Sequence, residues 1–409
     1  LVGVPERQNA PDAMAQKAAR LSEGYAVGTL SPEAVEALYR RPLRLSSTQI
    51  DTLAACRFCY FLRYGLRAEE RKTAEMDPSL YGTFVHDVLE HTARQVQREG
   101  GFKAVSHERV LRIAQARMEE YAQTKLADLW ESARAEYLFR RSFSEVRQVV
   151  TELYRELSRS EFEPKWFELH FARDGVLPAV TIAGEKMTAL LEGYVDRADV
   201  WHRGDRVYVR IVDYKTGPKS FEYHKILSGL GLQMLLYLFA LARSGGVLGE
   251  GELLPAGVLY FPARVERVTI PDKLDQAALE KKRRKNLQRS GLLLDEEPVL
   301  QAMEPCEGEP EFLPYGYDRS GERTGDLASA EQLDALEKYV FRTVAALGDG
   351  VYEGKLAPNP YFCGDRSNAC LYCPFSGVCR GEREERWLAS IKDSSEFWKA
   401  VEEGGTHCG

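Results

Sequence analysis

Up to about Ser160 the apolar positions recur every three or four residues, the period of amphipathic helices, and past Pro164 the period falls to two. In SPEAVEALYR, Ser31 stands as an N-cap, Pro32 at the first helical position and Glu33 in the first turn, where an acid meets the positive end of the helix dipole. A helix is predicted there without a capping box, because Ala34 holds the third position. Ser46 and Gln49 do have capping-box spacing, and Ile50, Leu53 and Ala54 follow on one face, so a second helix delivers Cys56 near its end. Tyr81 to Arg98 reads as another helix through Phe84, Val88 and Ala93, and residues 106 to 160 continue helical.

After Pro164, WFELHFARD alternates, and AVTIAG, KMTALLEGYVDRADVW and RVYVRIVDYKTG are rich in β-branched residues, so a sheet is expected. GLGLQMLLYLFALARSG, Gly229 to Gly245, is too long and too continuously apolar for a strand and ends in glycines; it reads as a buried helix packed on that sheet. AGVLYFPARVERVTI supplies a further strand. Residues 301 to 328 are rich in Glu, Pro and Gly and read as a long loop or excursion, followed by a helix near Glu331 to Leu347. No internal repeat or low-complexity tract is present in the sequence. The class is α/β.

Composition narrows this picture only in part. The 409 residues can bury a sizeable core, as one elaborated α/β domain or as two or three domains. With 44% hydrophobic and 29% charged residues the chain reads as an ordinary soluble protein, and no apolar run approaches the roughly 20 residues of a membrane span. The amino end, LVGVPERQNAPDAM, has no apolar signal core and no initial methionine, so a larger parent is expected. Eight cysteines without a signal peptide fit a reducing compartment, the cytoplasm, where clustered thiols bind metal more often than they form disulfides. A net charge of −7 gives no global case for nucleic acid, and the one basic run, KKRRK (Lys281 to Lys285), reads as a solvated helix face.

Candidate chemistry sits in two places. In VDYKTG, strand alternation sends Asp213 and Lys215 to one face and Tyr214 to the other. Such a pair suits phosphodiester hydrolysis, the carboxylate holding Mg²⁺ and the lysine orienting or deprotonating water; alone, the tripeptide is equally a surface ion pair. Asp196 in LLEGYVDRAD can meet Asp213 across adjacent strands, a costly arrangement without a cation. Asp199 is the rival carboxylate, with Arg197 able to neutralise it. A helical histidine such as His86 is by itself more often a packing residue, and Gln233 and Tyr237, one helical turn apart, could equally be a partly buried glutamine and a core-edge tyrosine. The second place is NACLYCPFSGVCR, where Cys370, Cys373 and Cys379 form C-x2-C-x5-C and lack a fourth ligand; spacing alone fits zinc or an iron-sulfur cluster.

The set G-x3-H (Gly82 to His86), G-x2-D (Gly193 to Asp196), D-Y-K (Asp213 to Lys215) and Q-x3-Y (Gln233 to Tyr237), in this order, resembles the RecB-like nuclease domain of the PD-(D/E)xK superfamily. The resemblance implies a central mixed sheet flanked by helices. It implies a catalytic Mg²⁺ or Mn²⁺ held by His86, Asp196, Asp213 and the Tyr214 carbonyl, with Lys215 as the catalytic lysine and the Gln233–Tyr237 helix beside the site. An early lone cysteine and a late C-x2-C-x5-C are similar to those nucleases whose domain is clasped by a 4Fe-4S cluster, which implies Cys56, Cys370, Cys373 and Cys379 as its ligands. Arg57 stands where such nucleases usually have proline, and Cys59 is a competing thiol.

The opening LSSTQIDTLAACRFCYFLRYGL and the ending FWKAVEEG are most similar to the carboxyl-terminal nuclease regions of AddAB-type helicase-nucleases, over roughly residues 42 to 400. This implies exonucleolytic cleavage of single-stranded DNA in double-strand break repair and recombination, with an AddA-type subunit as partner. A stand-alone RecB-like exonuclease and a non-catalytic single-strand binding module with a structural metal are the alternatives. No G-x4-GK[ST] phosphate loop occurs, so ATP hydrolysis is not expected of this chain. The expected organisation is a helical lead-in over 1–42, a nuclease domain over 43–400 and a tail over 401–409. Within the domain we expect a helical part at about 43–163, the catalytic sheet at about 164–270, a loop and helical excursion at about 271–350 and a cysteine clasp at about 352–380.

Overall fold

A computed structural model describes residues 28–69, 78–125, 133–172, 174–264, 285–286, 288–364, 367–379, 383–391 and 393–404. Helix α1 (Pro32–Leu38) opens at Ser31, whose hydroxyl accepts from the Ala34 amide at 3.3 Å. Strand β1 (Leu43–Ser46) runs straight into α2 (Ser47–Ala55) through a closed capping box: the Ser46 amide donates to Gln49 Oε1 at 2.8 Å and the Gln49 amide to Ser46 Oγ at 3.3 Å. Such a cap contributes about 1 kcal/mol. Cys56 is the extended residue between α2 and the short helix α3 (Arg57–Tyr60), which widens into a π turn over Phe61–Gly65.

Helices α4 (Pro78–Arg98), α5 (His107–Lys125) and α6 (Ala133–Leu157) pack in succession, α4 on α5 and α5 on α6. The apolar stripe read from the sequence is the packed face: Phe84, Val88 and Ala93 are fully buried, and the Phe84 ring meets Tyr121 at 5.2 Å. Helix α4 also lies against the sheet, which brings His86 to it.

The sheet is mixed. Its strands are β1, β2 (Glu163–Phe171), β3 (Val180–Ala183), β4 (Thr188–Arg203), β5 (Arg206–Lys215), β6 (Leu253–Pro262), β7 (Ser290–Leu294) and β10 (Leu327–Ala328), in the order β1-β4-β5-β6-β7-β10. Strand β4 is 16 residues long and serves two sets of neighbours. Its first half lies between β1, parallel, and β3, antiparallel; its second half lies between β2 and β5, both antiparallel. Strands β5 and β6 are parallel, which requires a crossover, supplied by α7 (Tyr223–Leu227) and α8 (Gln233–Arg243). Both strands are buried nearly throughout, which explains their continuous apolar runs.

Several expectations shift. The buried helix begins at Gln233, because Gly229 and Gly231 take positive φ angles of 81° and 68° and turn the chain before it. The sheet draws β1 from residues 43–46 and β7 and β10 from beyond residue 270, outside the stretch assigned to it, since strands of two to five residues leave too little alternation to read. For the same reason the excursion at 301–328 is more structured than read: it holds the end of α9 (Glu297–Met303), the hairpin β8 (Tyr315–Tyr317) and β9 (Arg323–Gly325), and β10. Helix α10 (Ala330–Tyr352) is longer than read and starts from a capping box of Ser329 and Gln332. Strands β11 (Tyr361–Phe362) and β12 (Arg386–Trp387) pair, and α11 (Ser394–Glu403) makes the described part of the tail helical, with Val401 buried. The KKRRK run lies outside the described residues except for Lys285. Among the described residues no helix is long and apolar enough to cross a membrane.

Candidate active site

The pairing of β4 with β5 sets Arg197 opposite Val212 and so brings Asp196 beside Asp213. The Tyr214 amide donates to Asp196 Oδ2 at 3.0 Å, and Lys215 Nζ lies 2.5 Å from Asp213 Oδ2. From α4, His86 Nε2 donates to the Tyr214 carbonyl at 2.7 Å while its Nδ1 lies 3.3 Å from Asp196 Oδ2. Alternation turns the Tyr214 ring away, where its hydroxyl accepts from Arg197 at 3.0 Å. His86, Asp196, Asp213, the Tyr214 carbonyl and Lys215 thus converge at the carboxyl end of β5.

This cluster is short of positive charge. Burial, then the neighbouring Asp196, push the Asp213 carboxyl up to about 6, against the pull of Lys215 and His86. A divalent cation placed among these oxygens would remove the repulsion, and oxygen-rich sets with one imidazole are what a hard cation with retained waters takes.

A further acid, absent from the sequence reading, belongs to the same cluster. Glu168 on β2 sits opposite Asp196, since Phe167 pairs with Arg197 and Leu169 with Val195, and it offers an oxygen within 4.8 Å of ligand atoms of both His86 and Asp196. Its backbone takes a φ of 45°, a strained value for a non-glycine residue. Burial, then Asp196 and Glu90, push its carboxyl up to about 7. The only sign in the sequence was an acid amid the apolar residues of WFELHF; no motif spacing ties it to Asp196.

Asp199, the rival carboxylate, is not available to a cation. It is fully buried and accepts from Arg197 Nε at 2.8 Å and Arg210 Nε at 2.9 Å. Glu156 from α6 extends this network, accepting from Arg210 at 3.0 Å and Arg289 at 2.8 Å. Burial works against the charge of Glu156, yet Arg289, Arg210 and Arg197 together hold its carboxyl down at about 2. The network ties α6 to the sheet behind the cluster.

Two motif glycines differ in what they do. A Cβ on Gly193 would lie 1.9 Å from the Tyr237 hydroxyl, so this position must be glycine for α8 to seat; at Gly82 a Cβ would meet nothing closer than Thr216 Oγ1 at 3.8 Å. The Tyr237 hydroxyl also lies 3.4 Å from Ser47 Oγ. Gln233, one turn before it, is half-buried and makes no hydrogen bond to the acidic cluster among the described residues.

At the other chemical locus, Cys56, Cys59, Cys370, Cys373 and Cys379 line one apolar recess with Phe58 and Phe375. Burial pushes the Cys370 and Cys379 thiols up against the pull of Arg383, and burial, then Cys373 and Cys56, push Cys59 up to about 12. The recess is braced across the chain: the Arg57 amide donates to Asn359 Oδ1 at 2.8 Å, and Arg386 donates to the Asn359 carbonyl at 2.9 Å and to the Ala54 carbonyl.

A mixed sheet with a carboxylate pair, a lysine and a helix-borne histidine at one strand end is the arrangement of a PD-(D/E)XK nuclease, and the chain belongs to that superfamily: the model of the PD-(D/E)XK nuclease superfamily matches residues 44–380. The chain is 34% identical over 379 residues to the ATP-dependent helicase/deoxyribonuclease B subunit of Moorella thermoacetica, covering 90% of this chain and 33% of the relative. The proteins of the same name from Acetivibrio thermocellus and from Thermoanaerobacter sp. are 31% and 30% identical, over 91% and 85% of this chain and 33% and 31% of theirs. The chain therefore spans about a third of the length of the curated relatives it matches.

Proposed function

We propose that this chain cleaves single-stranded DNA exonucleolytically with Mg²⁺ or Mn²⁺, as the nuclease part of a cytoplasmic helicase-nuclease that acts with an AddA-type subunit in double-strand break repair and recombination. The observation that carries the reading is the facing pair Asp196 and Asp213, with His86 joining Asp196 to the Tyr214 carbonyl and Lys215 beside Asp213. The similarity to the helicase/deoxyribonuclease B subunits supports DNA as substrate and a partner subunit.

In this reading His86, Asp196, Asp213 and the Tyr214 carbonyl hold the cation. Glu168 adds a carboxylate beside them. A cation held there would supply acidification of a coordinated water and offset charge growing on the phosphate. Lys215, held by Asp213, would as an ammonium stabilise charge on the attacked phosphate and orient the water, or as the neutral amine take the water's proton. The Arg197 hydrogen bond to the Tyr214 hydroxyl holds the ring behind the sheet, while the amide of Tyr214 is tied to Asp196 and its carbonyl to His86. Gln233 and Tyr237 flank the site on α8.

For the cysteines we propose a 4Fe-4S cluster on Cys56, Cys370, Cys373 and Cys379, with a structural role. The reading is supported by the apolar recess that gathers these four sulfurs beside Phe58 and Phe375.

The test is cleavage of a labelled single strand by protein with its cluster intact. Asp213→Ala and Lys215→Ala should each lower the rate at least a hundredfold while leaving the fold unchanged; unaltered cleavage in either variant would overturn the assignment.

A further inference from the structure

A groove of about 870 Å³ opens beside Lys215 and follows the ends of β5 and β6. Its walls carry Arg141 from α6, Lys219 from the turn after β5, Arg264 after β6, and Lys285, against one acid, Glu145. In a chain whose net charge is −7, this local excess of cations is a departure from the global balance, and a basic track is what a phosphate backbone needs. Lys285 belongs to the KKRRK run, for which a solvated helix face was the expectation.

A second observation lies on the other side of Lys215 in the sheet order. The ring of Tyr194 on β4 stacks on His170 from β2, with centroids 4.1 Å apart and planes 4° from parallel, and Tyr194 remains 52% exposed. An exposed flat aromatic pair is a platform on which an unpaired base can stack. Tyr194 is two residues from Asp196, and alternation puts both side chains on one face. Because β4 and β5 are antiparallel, Tyr194 and Lys215 sit at the same end of the sheet.

We propose that a single strand crosses the carboxyl end of β5 laterally, with its phosphates in the groove of Arg141, Lys219, Arg264 and Lys285 and an unpaired base stacked on Tyr194. The proposal rests on the nuclease reading of the site between them and defines the path of the substrate through it. Unpaired bases expose their faces for stacking and bases in a duplex do not, so this path selects single strands without reading sequence.

The experiment measures binding of a fluorescent single-stranded oligonucleotide to the full chain in EDTA across a salt series. An Arg141→Ser/Lys219→Ser/Arg264→Ser variant should bind at least tenfold more weakly, with the slope of log K against log salt reduced by up to about 0.7 per cation removed. Tyr194→Ala should weaken binding roughly tenfold without changing that slope, Tyr194→Phe should restore it, and an oligonucleotide lacking bases should not distinguish the two. These side chains lie at the surface or line an open groove, and unchanged circular dichroism and melting temperature confirm folding. Unchanged affinity and slope in the triple variant, or duplex bound as tightly as single strand, overturns the path. Cleavage with Mg²⁺ separates the two readings. Wild-type protein that cuts while the triple variant keeps its KM refutes the path alone; wild-type protein that binds through the groove and cuts nothing refutes the nuclease reading alone.

Discussion

The hydroxyl of Tyr237 occupies the space that a side chain at Gly193 would need: a Cβ there would stand 1.9 Å from the oxygen and 2.6 Å from Cζ. The glycine of one motif and the tyrosine of another are thus two halves of a single contact that seats α8 against β4, three residues before Asp196. Gly193→Ala should cost about 1–3 kcal/mol, the range of overpacked cores, and should lower activity by displacing Asp196. Removing the ring with Tyr237→Ala should make the same glycine substitution nearly free, so a double-mutant cycle on urea-unfolding free energies should give a coupling of at least about 1 kcal/mol. Additive effects would show that the two residues act separately.

The acidic cluster makes stability and metal binding depend on pH in opposite directions. Asp213 titrates in the folded protein near 6 against an ordinary 3.8, and Glu168 near 7 against 4.5. Between those limits the folded state binds more protons than the unfolded one, so stability falls as pH rises through this window. Metal-free protein should accordingly melt at lower temperature at about pH 8 than at about pH 5.5, and Asp213→Asn should remove much of that loss, gaining on the order of 1–3 kcal/mol at the higher pH. Mg²⁺ must displace those protons, so its affinity, followed by calorimetry, should rise from about pH 5.5 and level off above about pH 7. A flat affinity profile would mean that these carboxyls do not hold the ion.

Legibility in the sequence followed the length of the pattern. Strand alternation in VDYKTG was enough to place Asp213 and Lys215 on one face and to let Asp196 meet Asp213 across adjacent strands, whereas His86 was joined to them only by the family resemblance that the motif order carries. Glu168 was not legible, since only the β2–β4 register sets it opposite Asp196. The fate of Asp199 was half legible: Arg197 was visible two positions away, but Arg210, Glu156 and Arg289 reach that network from distant parts of the chain. Strands β7 to β10 hid for a simpler reason, having two to five residues each.

Glu156 compensates three buried arginines at once, lying 3.6 Å from Arg197, 3.0 Å from Arg210 and 2.8 Å from Arg289. Removing it leaves Asp199 to balance Arg197 and Arg210, guanidinium groups that burial strips of water, with Glu152 the remaining acid near Arg289. Glu156→Gln should therefore destabilise the protein by about 3–5 kcal/mol, measured by urea unfolding, a larger loss than any single surface ion pair could give. Because the network stands behind the active site and touches Tyr214 through Arg197, any variant that still folds should also lose cleavage. A loss below about 1 kcal/mol would mean that water or a rearranged partner takes the place of the carboxylate.

The cysteine recess joins parts of the chain roughly 300 residues apart, from Cys56 to Cys370 and beyond. A group bonded to both ends removes loop entropy from the unfolded chain on the order of 5 kcal/mol, whereas the protein's own ties across the same gap include the hydrogen bonds of Arg57 to Asn359 and of Arg386 to Ala54. Cys370→Ser and Cys56→Ser should each abolish iron and sulfide binding, lower the melting temperature and open the segment after Tyr352 to protease, while Cys59→Ser should keep the visible absorbance. Arg386→Ala should have little effect with the cluster in place and a large one after its removal, since only then does the arginine hold the ends together. Stoichiometric zinc in a colourless protein, or loss of iron in Cys59→Ser with retention in Cys56→Ser, would reassign the ligands.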